Sequence, residues 1–135
     1  MQFVSVRLVT RDPASVDALA TFYTRLTGVA ATRPAPDFAE LRGGGLALAI
    51  TTERMVAQFN AGAARAAANA SAILEFEVAD VDAVLLRLAD APPVLAMPPT
   101  TMPWGNRSLL LRDPDGNVVN VFARSAAAPQ EVAHA

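Results

Sequence analysis

Two carboxylates in "AILEFEV" have the spacing for chemistry. Glu75 and Glu77 stand two residues apart, so on an extended strand they share one face while Leu74, Phe76 and Val78 take the other. Such a pair can hold a cation such as Mg²⁺ weakly, supply a general base if burial beside a substrate C–H raises its pKa, or form a polar rim around a pocket. A second feature is the neutral amide of Asn120, set in the otherwise apolar row "NVVNVF" three residues past the turn "DPDGN". Trp104 precedes a glycine at what reads as the start of a strand, with Met97 and Met102 on the Pro-rich stretch before it. An indole and adaptable thioethers suit a tolerant pocket and an irregular core equally. Arg107 reads as a cation at a pocket mouth or at a solvated strand end.

Other chemistries lack their residues. There is no cysteine, hence no thiolate and no disulfide framework, and the single histidine, His134, falls in a C-terminal stretch with little to bury. A net charge of −2 offers no basic footprint for nucleic acid. No apolar run approaches the roughly 18 residues that span a bilayer, and "MQFVSVRLVTRDP" lacks the basic and apolar regions of an export signal. These observations predict a cytoplasmic protein with neither nucleic-acid nor membrane partners. At 135 residues and 53% hydrophobic composition, the chain is expected to form one domain with its own core.

The elements that must position these side chains repeat. Residues 3–10 form a β-branched run closed by "RDP", and Val16, Leu19, Ala20, Tyr23 and Leu26 follow at helical spacing until Thr27-Gly28. "VAATRP", "FAELR" and "LALAITT" read as three short strands, broken by Pro34-Ala35-Pro36 and by a triple glycine at 43–45. Residues 53–70 read as a linker in which Met55, Val56 and Phe59 have the spacing of a short packed helix. Then "AILEFEV" is a strand, "DVDAVLLRLADA" a helix, and "VLAMPP", "RSLLLR" and "NVVNVFA" three more strands. Within "DPDGN", Asp113 suits side-chain capping, Pro114 pre-sets φ and Gly116 accepts φ > 0, which makes Asp113 and Asp115 turn residues rather than catalysts.

Ser5 to Asp12 aligns with Ile73 to Asp80 at a constant offset of 68, each run ending in an acidic residue that opens a helix. The predicted fold is therefore α+β: two βαβββ modules, over residues 3–52 and 71–124, forming a curved eight-stranded mixed sheet with helices behind it and a concave pocket in front, and a flexible tail over 125–135. On that sheet the glutamates and Ile73 face the concavity, with Arg7 from the equivalent strand alongside.

Paired βαβββ modules, Phe22-Tyr23 in the first helix, "FEVADVDA" opening the second module and "RDPDGNVVNVF" closing it resemble the vicinal oxygen chelate superfamily, the glyoxalase I, bleomycin-resistance and extradiol dioxygenase group. "PWGNRSLLLRDPDGN" is most similar to the bleomycin-resistance-like branch. The resemblance implies that metal-dependent members carry a histidine early on the first strand of a module and a carboxylate three residues after the turn. Those positions fall here on Ser5 and Ile73 and on Asn120, with Leu48 or Ala49 as its first-module counterpart. None is a good ligand for a divalent ion, which calls for imidazole and ionised carboxylate. No metal and no cofactor are expected. The resemblance also places Val118, Asn120 and Phe122 together in the concavity and implies a homodimer. The expected ligand-binding set is Ser5, Arg7, Ile73, Glu75, Met102, Trp104, Arg107, Val118, Asn120 and Phe122, around a small molecule such as an antibiotic or aromatic metabolite. The alternative is a glyoxalase-, lyase- or dioxygenase-type enzyme with a divergent site, in which Glu75 or Glu77 would be the catalytic base.

Overall fold

The computed structural model of the chain describes residues 1–125. They cluster into two compact units, residues 1–69 and residues 70 onward. His134 and all but the first residue of the expected tail lie outside the described residues.

The first unit opens with β1 (Ser5–Thr10), followed by α1 (Pro13–Thr27), β2 (Thr32–Ala35), β3 (Phe38–Arg42), β4 (Ala47–Thr52) and α2 (Glu53–Phe59). Asp12 caps α1: its side chain accepts a 2.8 Å bond from Ser15 N–H, and Pro13 fills the first turn, where its missing N–H costs nothing. That bond is the main cause holding the Asp12 carboxyl below its ordinary pKa. Gly28 ends the helix at φ 76°, a left-handed conformation that suits glycine. The predicted stripe becomes the core, with Val16, Leu19, Tyr23 and Leu26 buried against β3 and β4.

Parallel pairing of β1 with β4, and antiparallel pairing of β4 with β3 and β3 with β2, gives the order β1-β4-β3-β2. Register places Leu8, Ile50, Ala39, Leu41 and Leu48 on one face, and all five are buried. Ser5, Arg7, Ala49 and Glu40 take the other. Pro34, expected to break the chain, lies inside β2; the strand is at the sheet edge, where a missing N–H interrupts no ladder. The stretch read as a linker begins with α2, capped by Thr52 and anchored by buried Val56, whereas Phe59 is exposed.

The second unit consists of β5 (Ile73–Glu77), α3 (Val81–Arg87), β6 (Val94–Thr101), β7 (Arg107–Arg112) and β8 (Val118–Ala123). Asp80 caps α3 by accepting from Ala83 N–H, as Asp12 caps α1. The sheet order β5-β8-β7-β6 repeats that of the first unit strand for strand, so the eight expected strands hydrogen-bond as two sheets of four. Leu109, Leu111, Val119 and Val121 are wholly buried on one face, and α3, with Val81 and Val84 buried, packs against their strands. The 113–117 turn is built as its residues predict: Asp113 Oδ1 accepts from the backbone N–H of Asp115 and Asn117, and Oδ2 from Asn117 Nδ2.

Candidate functional site

Parallel register sets Ile73 beside Val118, Glu75 beside Asn120 and Glu77 beside Phe122. Across β8, Ser108 pairs with Phe122 and Leu110 with Asn120. Alternation therefore gathers Ile73, Glu75, Glu77, Val118, Asn120, Phe122, Ser108 and Leu110 on one face of the second sheet, opposite the buried Leu109–Val121 layer. Glu75, Asn120, Val118 and Phe122, expected to share a site, do share a face.

Asn120 is only 2% exposed. Its Nδ2 donates to Glu75 Oε2 at 2.9 Å, and its Oδ1 is buried with no hydrogen-bond partner among the described residues. Leaving a buried acceptor unpaired costs about 1–3 kcal/mol, so the amide is held against a penalty. Ser108, 1% exposed on the same face, likewise has a buried hydroxyl without a partner among the described residues. Nearby, Glu77 accepts from Arg124 Nε at 3.1 Å, and the Arg124 guanidinium lies 5.4 Å from the centroid of the Phe122 ring, within cation–π range.

Other expected site residues take different places. Arg107 pairs opposite Ala123, one residue out of step with Ser108, and so points to the α3 side of the sheet. There it makes a bidentate contact with Asp82 of α3, through Nε at 2.8 Å and Nη2 at 3.0 Å. The hydrogen bond depresses the Asp82 carboxyl and raises the Arg107 guanidinium. A fork this well matched to a carboxylate ties strand to helix. Trp104 sits in the turn between β6 and β7, 39% exposed, three residues before β7 begins. Met102 closes that turn, its N–H donating to Asn106 C=O at 2.7 Å and its C=O accepting from Gly105 N–H at 2.9 Å. Gly105 adopts φ 102°, and a Cβ there would meet Ser125 Cβ at 2.9 Å, so the position requires glycine twice over. Asn106 beside it is 1% exposed; its Oδ1 accepts from Ser125 N–H.

In the first sheet, Ser5 is half-buried opposite Ala47, and Arg7 is exposed opposite Ala49, its Nη2 donating to Asn60 Oδ1 at 3.0 Å. The two registers match position for position: Ser5 with Ile73, Arg7 with Glu75, and Ala49 with Asn120. Ala49, rather than Leu48, is thus the counterpart of Asn120. The four positions that would supply a metal centre hold Ser5, Ala49, Ile73 and Asn120. A methyl and a branched alkyl side chain have no lone pair to offer, and a neutral amide and a hydroxyl are poor ligands for a transition ion. Among the described residues, no group of three or more His, Cys, Asp or Glu is placed to hold a metal. The donor set does not fit the ion. Nor is any described helix long and apolar enough to cross a membrane.

Ser108 was not singled out from the sequence. Its signal there is faint: a hydroxyl at the head of the apolar run "SLLL", in step with Leu110 and therefore with Asn120 across the ladder.

Comparison with known proteins adds a family to this geometry. The sequence profile of the Glyoxalase/Bleomycin resistance protein/Dioxygenase superfamily matches residues 4–121. No curated protein matches the chain in sequence. Among solved structures, a glyoxalase/bleomycin resistance protein/dioxygenase from Nocardioides is similar with a TM-score of 0.76 at 22% identity, over 98% of this chain and 90% of that one. A glyoxalase-related enzyme from Fulvimarina pelagi gives a TM-score of 0.76 at 23% identity over 96% of both chains. TioX from Micromonospora sp. ML1 gives 0.64 at 23% identity, over 91% of this chain and 98% of that one. At these identities the likeness is one of fold.

Proposed function

The chain belongs to the glyoxalase/bleomycin resistance protein/dioxygenase superfamily, and from that premise we propose that it is a metal-independent binding protein for a small molecule, sequestering an antibiotic or aromatic metabolite. One observation carries the reading: at the position where the resemblance calls for a carboxylate ligand stands Asn120, buried, with its Oδ1 unpartnered among the described residues. An amide keeps nearly the shape of that ligand while removing the charge that would hold a cation. What it retains is a directional hydrogen-bonding group, and Val118, Phe122 and Leu110 around it provide apolar surface on the same face. Such a combination, mostly apolar with a few placed polar groups, is what small-molecule recognition uses. The same reading carries a cytoplasmic homodimer.

The test is a titration of aromatic compounds followed by the fluorescence of Trp104, the sole tryptophan, beside elemental analysis of protein purified without a tag. A saturable response with less than stoichiometric metal is expected. Stoichiometric Zn, Ni, Mn or Fe would refute the reading, as would a broad panel without any response.

A further inference from the structure

We propose that residues 60–67 form a strap latched across the free edge of the first sheet, which opens as one unit and in opening releases the Arg7 guanidinium. All of its ties lie within the first unit, so the inference goes beyond the small-molecule reading and does not rest on it. The segment leaves α2 at Asn60, whose N–H donates to Val56 C=O at 2.8 Å and whose Oδ1 accepts from Arg7 Nη2 at 3.0 Å. It then reaches β1 from outside the sheet. Val4 C=O accepts from Ala47 N–H at 3.0 Å, so even-numbered residues along this strand direct their backbone groups to β4 and odd-numbered ones direct theirs to the open edge. Val9 is odd-numbered, and its C=O accepts from Ala67 N–H at 3.2 Å, which lays the end of the segment along that edge. Beside it, Ala66 N–H donates to Glu53 Oε2 at 2.6 Å.

The closed form is built against local preference. Ala61 and Ala67, one near each end, have φ of 56° and 53°, in the left-handed region that alanine disfavours. Apolar burial does not offset that strain, since residues 60–67 are exposed apart from half-buried Ala66. Hydrogen bonds hold the strap instead, and the charge-assisted ones run to the Glu53 carboxylate and the Arg7 guanidinium. Strained ends and few buried contacts put a segment at the low end of local stability, where it opens without the rest of the fold. Among the described residues, the side-chain partner of Arg7 is Asn60, so opening leaves a cation beside Ala49 on the sheet face.

The experiment is amide hydrogen exchange by NMR on the ¹⁵N-labelled full chain, with the Arg7 Nε–H signal as a second readout. Once corrected for intrinsic rates, Ala66 and Ala67 are expected to report one common opening, on the order of a hundredfold more frequent than that of buried Leu19. Glu53→Ala is expected to speed both amides by the same factor, about tenfold, and to shift the Arg7 signal while the Val56 amide stays unchanged. Glu53→Gln, which keeps an acceptor, should restore most of the closure. Ala61→Gly and Ala67→Gly, which relieve the strain, should slow exchange at Ala66 about threefold. Acceleration confined to Ala66, with Ala67 and Arg7 unmoved, would show separate ties and overturn the proposal, as would exchange of both amides only at the rate of Leu19. Where Glu53→Ala also loosens Val56, the glycine variants decide: slower exchange supports the latch, and unchanged or faster exchange overturns it.

Discussion

At the scale of the residue, the site is defined by groups retained at a cost. Replacing Asn120 with leucine, similar in volume, removes a buried orphan acceptor and one bond to an exposed carboxylate. Asn120→Leu is therefore expected to raise stability by about 1 kcal/mol in urea denaturation while abolishing ligand binding. Ser108→Ala is expected to move both quantities the same way by less. Loss of stability in either variant would mark these groups as structural. Glu75 and Asn120 stood out in the sequence, Glu75 by alternating with Glu77 against apolar neighbours and Asn120 as the one polar residue within an apolar strand. Ser108 did not: beside Arg107 at the start of "RSLLLR" it looks like the wet end of a strand, and its burial depends on register across β8. The partner of Arg107 was hidden for a related reason, since the Asp82 that takes its charge is 25 residues away on α3.

At the scale of the element, the sequence spoke through caps and periodicity. Asp12 and Asp80 cap helices as their offset predicted, and the α1 stripe became core. Leu19→Ala, at a fully buried position, should cost about 2–5 kcal/mol without altering the second sheet. Edge strands were harder, because whether Pro34 breaks a strand depends on which strand has an unpaired side. One tertiary tie was invisible beforehand. Buried Asp37, before β3, accepts from Arg54 Nη2 at 2.5 Å and Nε at 3.1 Å and from Thr52 Oγ1 at 2.5 Å, joining the β2–β3 turn to the start of α2. Arg54, first, and Thr52 hold the Asp37 carboxyl below its ordinary value of 3.8. A carboxyl whose pKa is lower folded than unfolded contributes fully above the unfolded value and progressively less as pH falls through the folded one. The melting temperature should accordingly drop as pH falls below about 4, and Asp37→Asn, less stable at neutral pH, should show a shallower acid limb.

At the scale of the whole molecule, the duplication was readable because strand order and helix caps recur at a fixed offset, and both units adopt the same topology. The division of the strands into two hydrogen-bonded sheets was not, since a pattern of strands does not state where one ladder stops. On the proposed reading no ion is integral to the fold. Dialysis against EDTA should leave the melting temperature unchanged, whereas a fall of several degrees would point to a structural or active-site metal. Light scattering should give twice the 14.1 kDa chain mass, and a monomer would contradict the homodimer.

The matched registers carry an engineering consequence. Arg7 stands to Ala49 in the first sheet as Glu75 stands to Asn120 in the second. The amide–carboxylate pair is a two-residue part whose register positions recur in the other module, and Arg7→Glu with Ala49→Asn would install a copy of it there. Comparing ligand capture by the original and the copied pair would separate what the two side chains do themselves from what Ser108 and Phe122, replaced by other residues in the first sheet, contribute around them.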